Sequence, residues 1–177
     1  NFASVIATKG LASSNKFEVS IHFPNGLRKQ SLDLMCESVS IEGKSINTTG
    51  DRHYGVTREV AYGAPVYSPI TLSFYCTSQL HEKMHLDRWQ NSIVKTNHPR
   101  TGELGTFDVG YYDEYAKNSK IIVTKLDTSG IKVFSIEYVE AYPKSIASIE
   151  LSHAVAAGPM KVSAVFNYSY WKDTTSN

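Results

Sequence analysis

Apolar and polar residues alternate along several segments of the chain, and this period of two is typical of strands that bury one face. In residues 17–23 (FEVSIHF) every second side chain is apolar. The same alternation predicts strands over residues 32–41, 56–62, 70–76, 120–126, 132–141 and 160–170, of which 56–62 is the weakest. Residues 127–130 (DTSG) separate two of these segments and favour a hairpin turn. The pattern therefore predicts a mostly β protein, an antiparallel β-sandwich or barrel.

One segment, residues 78–95, has the period of an amphipathic helix instead. Ser78 is suited to cap its N-terminus, and Glu82 lies in the first turns. The residues that share one stripe at helical spacing, and that we expect to pack the helix on a sheet, are Leu86, Trp89 and Ile93. The sequence thus predicts a β domain with one flanking α-helix.

Two further segments do not fit a compact core. Residues 1–15 are mostly small or polar and predict an N-terminal arm, which precedes a single domain over 16–172 and a short C-terminal tail over 173–177. Residues 42–69 are rich in glycine and proline and contain only one weak strand, so they predict a long loop. A loop of this length in a compact domain usually has a function, and we expect it to reach a partner.

Composition narrows the classes of function. The 177 residues carry a formal net charge of +1 with 20% charged side chains, so no basic excess favours binding to nucleic acid or to an anionic membrane. No apolar run is long enough to span a bilayer. Cys36 and Cys76 are too few for a disulfide framework, and both fall in predicted strands. We expect two buried thiols of a protein made in a reducing cytoplasm, with a bond to a neighbouring subunit as the alternative.

The predicted helix contains HEKMH at residues 81–85, which matches the HExxH motif of zinc peptidases. In those enzymes the two histidines bind the metal and the glutamate is the general base. The metzincin extension is absent, because Arg88 and Asn91 stand where glycine and histidine are required. Glu82 also shares the stripe that we expect to pack against the sheet. We therefore predict no catalytic residue, metal or cofactor, and a zinc peptidase that uses His81 and His85 stays as an alternative.

A second chemical alternative is carbohydrate binding by the tyrosine-rich stretch FDVGYYDEY, residues 107–115. Its aromatic rings could stack on a sugar, and its acidic side chains could form a carboxylate cluster. If the stretch is a strand, however, Asp113 and Glu114 point to opposite faces. Tyrosine is also common in half-buried strands and at protein interfaces. We therefore favour a solvated strand edge at this place.

The order of several segments resembles the tail-tube proteins of contractile-tailed bacteriophages. The segments that carry the resemblance are FEVSIHFP at 17–24, LDLMCESVSIEG at 32–43, GDR at 50–52, ITLSFYC at 70–76, DRWQNSI at 87–93, YVEAYPKSIASIELSH at 138–153 and VFNYSYW at 165–171. Their order and spacing match over about residues 16–172. The most characteristic piece is EAYPKSI, in which Pro143 is expected to end one strand before the IELS segment at 149–152.

The resemblance implies a β-sandwich or half-barrel with one helix at its flank, a fold shared with the Hcp ring protein of type VI secretion. It also implies a structural subunit of the virion tail, assembled in the bacterial cytoplasm, whose homo-hexameric rings stack into a tube. A sheath protein would surround the tube and baseplate tube proteins would adjoin it. A tape-measure protein and DNA would pass through the lumen without sequence-specific binding. The alternatives within this class are a baseplate tube initiator and an Hcp-like secretion ring.

Two surfaces follow as candidates for assembly. Ring-to-ring contacts are expected from the N-terminal arm and from the loop at 42–69. The candidate stacking residues are Phe2, Val5, Lys9, Arg52, Tyr54, Arg58 and Tyr62. Polar residues along the strand predicted at 160–170 are candidates for a wet lumen wall, namely Lys161, Ser163, Asn167 and Ser169. The pattern leaves open whether this face is the lumen or the outer surface.

Overall fold

The protein is built mainly from β-strands. The computed structural model describes residues 13–24, 35–52, 54–97, 104–152 and 158–175. The strands in these ranges are β1 (Phe17–His22), β2 (Cys36–Val39), β3 (Lys44–Ser45), β4 (Thr48–Asp51), β5 (Arg58–Ala61), β6 (Val66–Tyr67), β7 (Ile70–Tyr75), β8 (Val94–Asn97), β9 (Leu104–Val109), β10 (Lys120–Leu126), β11 (Lys132–Val139), β12 (Tyr142–Ile146), β13 (Lys161–Asn167) and β14 (Tyr170–Asp173). The helices in the same ranges are α1 (His81–Ile93) and α2 (Tyr112–Tyr115).

Two four-stranded antiparallel sheets form the body of the molecule. Sheet A has the order β1-β10-β11-β14, and sheet B has the order β12-β13-β7-β2. The turn predicted at 127–130 joins β10 to β11: the Asp127 N–H donates to the Ile131 carbonyl over 2.8 Å, and Gly130 takes the left-handed φ of 80° that such a turn needs. The predicted mostly β, antiparallel class is confirmed.

The hydrophobic core joins the two sheets and α1. Strand β7 buries Ile70, Leu72 and Phe74 and leaves the residues between them at least partly exposed, as the alternation in the sequence predicts. The buried apolar residues that form one cluster are Val19, Ile21, Ile70, Leu72, Phe74, Leu86, Trp89, Ile121, Val123, Ile136, Tyr138, Ala141, Val162, Ala164 and Phe166. Removal of this apolar surface from water is the main force that holds the sheets and the helix together.

Helix α1 packs on this core through the predicted stripe. Leu86 and Trp89 are fully buried, and Ile93 is half-buried against the core cluster. The Trp89 ring lies 4.9 Å from the Phe23 ring and 5.9 Å from the Phe166 ring, centroid to centroid. Trp89 therefore contacts the end of β1 in sheet A and β13 in sheet B, so the helix is fixed to both layers.

The N-terminus of α1 differs from the prediction. The helix begins at His81, and the expected cap at Ser78 is wrong, because Leu80 occupies the cap position with a left-handed φ of 54° and no side-chain capping bond. Glu82 stabilises the preceding turn instead. Its Oε2 accepts the backbone N–H of Thr77 over 2.9 Å and the Thr77 hydroxyl over 3.0 Å.

The segment predicted as one strand over 160–170 is two strands. Strand β13 ends before a bend at Tyr168 and Ser169, after which β14 continues in the other sheet. The Ser169 N–H donates to the Val139 carbonyl over 3.0 Å and so ties the bend to sheet A. As a consequence Tyr170 is 45% exposed and does not share the buried face of Phe166. The predicted tail at 173–177 also begins inside β14.

The structure around Pro143 also differs from the prediction. Pro143 lies within β12 and does not end a strand, and residues 149–152 form no strand. Because β12 is an edge strand of sheet B, a residue without an N–H is tolerated there. The register shifts between Pro143 and Ser145, and the carbonyl of the intervening Lys144 accepts the Gln90 side-chain amide over 3.2 Å.

The two cysteines are less buried than predicted. Cys36 lies in β2, but Cys76 directly follows β7, and both are half-buried without a disulfide. Burial raises the pKa of the Cys76 thiol, and the nearby Glu82 charge raises it further. Cys76 is therefore a weak nucleophile at neutral pH.

Candidate assembly surfaces

Residues 44–67 form a hairpin arm that leaves sheet B between β2 and β7. The expectation of a loop with one weak strand is wrong, because antiparallel pairing joins β3 to β6 and β4 to β5. Between these two ladders, the Tyr62 N–H donates to the Asn47 carbonyl over 2.8 Å. Near the tip, Tyr54 and Gly55 have positive φ values of 50° and 103°, which allow the chain to reverse.

The hairpin arm exposes apolar side chains along its length. These are Ile46, Tyr54, Val56, Val60, Tyr62 and Val66. Tyr54 is 99% exposed, and every described residue from 44 to 66 is classed as exposed. A two-stranded ribbon is at best marginally stable alone in water, and a contiguous exposed apolar surface usually marks an interaction site. These properties favour a partner surface for the hairpin arm.

Four of the predicted stacking residues lie on the hairpin arm. Arg52 and Tyr54 are near its tip, and Arg58 and Tyr62 are in or next to β5. The Arg52 Nε–H donates to the Gly55 carbonyl over 3.3 Å, so this side chain also holds the tip together. The other predicted stacking residues, Phe2, Val5 and Lys9, lie outside the described residues.

The root of the hairpin arm is attached to the body by aromatic side chains. The Tyr168 hydroxyl donates to the Ser68 carbonyl over 2.8 Å. The Tyr168 ring lies 5.9 Å from the Tyr67 ring and 4.8 Å from the buried Tyr138 ring. The sequence analysis missed this cluster, although the place of Tyr168 on the apolar face of the 160–170 segment was a signal that it contacts other apolar groups.

The outer face of sheet B is rich in small hydroxyl side chains, and we call it the hydroxyl face. Its residues, placed by register and contacts, are Glu37, Ser38, Thr71, Ser73, Tyr75, Lys161, Ser163 and Val165. The Ser73 and Ser163 hydroxyls are 2.7 Å apart across β7 and β13. Lys161 forms an ion pair with Glu37 at 2.5 Å. This pair lowers the pKa of the Glu37 carboxyl, and its two charges cancel.

The predicted lumen residues are only partly brought together. Lys161 and Ser163 lie on the hydroxyl face. Asn167, at the end of β13, is half-buried, and its side-chain amide donates to the Tyr142 hydroxyl over 3.4 Å. Ser169 lies in the bend beyond β13, outside the strand that carries the other three.

The outer face of sheet A has a different chemistry. Glu137 lies 3.5 Å from Lys120 and 3.1 Å from Lys172, and Lys132 lies 3.8 Å from Glu18. Partial burial would raise the pKa of the Glu137 carboxyl, but its hydrogen bond to Lys172 and the charge of Lys120 lower it below the ordinary value. An open groove of about 300 Å³ borders β10, β11 and the C-terminal segment. The outer face of sheet A therefore carries several ion pairs, whereas the hydroxyl face as defined above carries one.

The HExxH segment is not arranged like the metal site of a zinc peptidase. Glu82, the expected general base, is fully buried and bound to Thr77. Burial by itself would raise the pKa of its carboxyl, but the Thr77 hydrogen bonds lower it. His81 is exposed, with its Nε2 2.5 Å from Gln79 Oε1. In the ranges that the structure describes, no group of three histidine, cysteine or acidic side chains is placed to hold a metal ion.

The tyrosine-rich stretch is divided between two elements: residues 107–109 belong to β9, and Tyr112–Tyr115 form the helical turn α2. The expectation of a strand at Asp113 and Glu114 is therefore wrong. Asp113 pairs with Lys117 at 3.0 Å, one turn later. The Tyr112 hydroxyl donates to Glu140 Oε2 over 2.9 Å. Desolvation, strengthened by this bond, raises the pKa of Tyr112 to about 12. The Tyr115 ring packs edge-on against Tyr112 and Tyr142, so these rings contact one another and present no parallel platform for a sugar.

Comparison with solved structures gives the class of this fold. It is similar to a chain of an extracellular contractile injection system, the PVC sheath–tube complex in the extended state, with a TM-score of 0.65 at 17% identity, covering 98% of this chain and 97% of that one. A chain of the anti-feeding prophage baseplate gives a TM-score of 0.65 at 12% identity, covering 93% and 96%. Hcp1 from Flavobacterium johnsoniae gives 0.50 at 10% identity, covering 91% and 96%. The fold is thus that of the tail-tube and Hcp-like proteins.

The family is shown by the sequence itself. A family model described as phage tail tube protein matches residues 12–174, so the chain belongs to the phage tail tube protein family. No curated protein sequence matches it. It is a structural tube protein of a phage-like tail, and not an enzyme. Within the described ranges, none of the helices has the length and apolar character needed to cross a membrane.

Proposed function

We propose that this chain is the repeated subunit of a tail tube, in which hexameric rings stack into a hollow conduit for DNA inside a contractile sheath. The observation that carries the proposal is the hairpin arm, which exposes apolar side chains along a ribbon that the subunit itself does not cover. A second copy is the partner we propose, because head-to-tail contacts between identical subunits produce a ring where their rotation closes and a filament where it does not. The similarity to a sheath–tube complex supports this assembly.

The proposed partners follow from the same comparisons. A sheath protein would lie outside the tube, and baseplate and terminator proteins would lie at its ends, as the similarity to chains of a baseplate and of a tube-terminating cap suggests. A tape-measure protein and then DNA would occupy the lumen. Assembly would take place in the host bacterial cytoplasm, and the product would belong to the tail of the virion. The N-terminal arm over residues 1–15 would add a further stacking contact.

The hydroxyl face is the proposed lumen wall. The hairpin arm connects β2 to β7 of sheet B along the chain, so in a tube that stacks through the arm this sheet would adjoin the stacking contact. Phosphate groups bind to unpaired basic side chains, and Lys161 on this face is neutralised by Glu37. Small hydroxyl groups keep the wall wet without gripping a duplex that must slide past.

Electron microscopy of the purified protein tests the proposal directly. We expect hollow six-fold rings that stack into tubes as the protein concentration rises. Rings that never stack would favour an Hcp-like secretion ring or a tube initiator. A protein that stays monomeric at high concentration would contradict the proposal.

Cysteine labelling tests the lumen wall. In Thr71→Cys, on the hydroxyl face, we expect assembled tubes to react with a small maleimide but not with a maleimide coupled to a bulky protein, because only the small reagent enters a narrow lumen. Free subunits should react with both. Lys172→Cys, on the outer face of sheet A, is the matched control and should react with both reagents in tubes, while the wild type gives the background of Cys36 and Cys76. Equal reaction of Thr71→Cys with the bulky reagent before and after assembly would place this face outside the lumen.

A further inference from the structure

Tyr168 lies where the chain crosses from one sheet to the other. It follows β13 of sheet B and precedes β14 of sheet A, and its ring packs edge-on against Tyr138, which is buried in the core, at 4.8 Å. The same side chain makes a ring contact to Tyr67, the last residue of the hairpin arm, and a 2.8 Å hydrogen bond to the carbonyl of the next residue, Ser68. One residue therefore joins the junction of the two sheets to the root of the arm.

The other strand at the root of the hairpin arm, β3, contacts β14, which directly follows Tyr168 and Ser169 in the chain. Lys44 in β3 is paired with Tyr67 in β6, and its ammonium group lies 5.5 Å from the centre of the Trp171 ring in β14. A cation over an indole ring at this distance is attracted by the ring electrons. Both strands at the root, β3 and β6, thus contact the segment 168–171.

We infer that Tyr168 is a positioning residue for assembly, which clamps the root of the hairpin arm and fixes the direction in which the arm reaches a second copy of this chain. The inference rests on the proposed stacking function. A ribbon that already has the orientation it takes in the assembly loses less conformational entropy on association than a ribbon whose orientation varies. The clamp therefore strengthens ring stacking without contributing a contact to the partner.

The Tyr168 hydroxyl remains a donor over the whole physiological range. Burial, with the neighbouring Glu42 charge, raises its pKa to about 12, so the bond to the Ser68 carbonyl does not break as the pH changes near neutrality. The hydroxyl of Tyr168 therefore stays protonated between pH 6 and pH 9. We expect no change in ring stacking over this range from the ionisation of Tyr168.

Two substitutions distinguish the effect of Tyr168 on assembly from its effect on the folding of the subunit. Tyr168→Phe keeps both ring contacts and removes only the bond to Ser68, and Tyr168→Ala removes all three. We expect Tyr168→Phe to raise the critical concentration for tube formation roughly two- to tenfold, the range that one hydrogen bond covers, with at most a small decrease in the unfolding midpoint. Tyr168→Ala should raise it further and accelerate trypsin cleavage at Arg52 and Arg58 in free subunits. Tyr170→Phe, on an exposed ring nearby, is the control and should match the wild type.

The outcomes distinguish this inference from the function on which it rests. If the wild type forms tubes and Tyr168→Phe forms them at the same concentration, with the arm cleaved at the same rate, the clamp is wrong and the tube function stands. If the wild type forms no tubes, the proposed function fails and the clamp fails with it. Should Tyr168→Ala not fold, Tyr168→Phe alone decides.

Discussion

Replacement of Trp89 by alanine is expected to lower the free energy of unfolding by about 3–5 kcal/mol, the usual effect of removing a large aromatic side chain from a packed core. Trp89 is fully buried between the end of β1 and β13, with ring contacts to Phe23 and Phe166. Its Nε1–H donates to the Tyr115 carbonyl over 3.1 Å. The substitution therefore leaves a cavity, and it also removes the partner of the backbone carbonyl of Tyr115, the last residue of α2.

The measurement is chemical denaturation of the free subunit at a concentration below that of assembly. Met84→Ala is the matched control, because Met84 lies on the same helix and is 40% exposed. We expect this control to stay within about 0.5 kcal/mol of the wild type, as exposed substitutions usually do. A change below about 1 kcal/mol in Trp89→Ala would mean that α1 is not fixed to the core by this side chain, contrary to the packing described above.

The core could be predicted from the sequence because its signals are local, whereas the family was indicated by the order and spacing of segments over about residues 16–172. In β1, β7 and β13 each buried residue alternates with a more exposed one, so the pattern of apolar residues identifies which face is inside. The stripe of α1 is visible for the same reason. The turn between β10 and β11 also has a local cause, since the positive φ at Gly130 is available to glycine.

The crossing between β13 and β14 has no such local signal. Alternation continues through Tyr168 and Tyr170, and the bend at Tyr168 and Ser169 contains neither glycine nor proline. The bend is stabilised from elsewhere, by the bond from the Ser169 N–H to Val139 and by the contacts of Tyr168 with the arm root. A change of sheet within an unbroken alternating segment is set by tertiary contacts, which the pattern alone does not contain.

The hairpin arm was missed for a different reason. Both of its faces are exposed in the subunit, so its apolar residues match neither the inward face of a strand nor a polar loop. These side chains lie outside the core of this chain. Under the proposed function, their pattern would match the surface of a partner. The stacking residues predicted at Arg52, Tyr54, Arg58 and Tyr62 lie on this arm, and their role in assembly stays a prediction. The contact of Tyr168 with the root of the arm joins distant parts of the chain, so the sequence pattern does not contain it.

The HExxH segment illustrates how one motif can have two explanations. Glu82 is a buried acid next to two histidines, which is what a catalytic base looks like in sequence. In the structure its carboxylate satisfies the two donors of Thr77 and stabilises the turn in which Leu80 has a positive φ. The residue types are the same in both cases, and the direction of the carboxylate into the fold distinguishes the stabilisation of a turn from catalysis.

The double substitution Val60→Asp/Tyr62→Asp is expected to abolish tube formation while the subunit stays folded. Val60 and Tyr62 are 47% and 59% exposed and, two residues apart on a ribbon, share one face. If both side chains become buried against a second copy, each contributes about 1.5–3 kcal/mol to stacking. Their loss, together with two charges placed in an apolar contact, should raise the critical concentration for tubes more than about a hundredfold.

The control is Val60→Ile/Tyr62→Phe, which keeps apolar side chains of similar size on the same face and should form tubes at close to the wild-type concentration. Sedimentation measures the assembled fraction, and electron microscopy shows whether rings persist when stacking is lost. Because both residues are exposed in the free subunit, the unfolding midpoint should be the same in all three proteins. Tubes formed by the aspartate variant at the wild-type concentration would rule out this face of the arm as a stacking surface. Rings that also disappear would instead assign the arm to contacts within a ring.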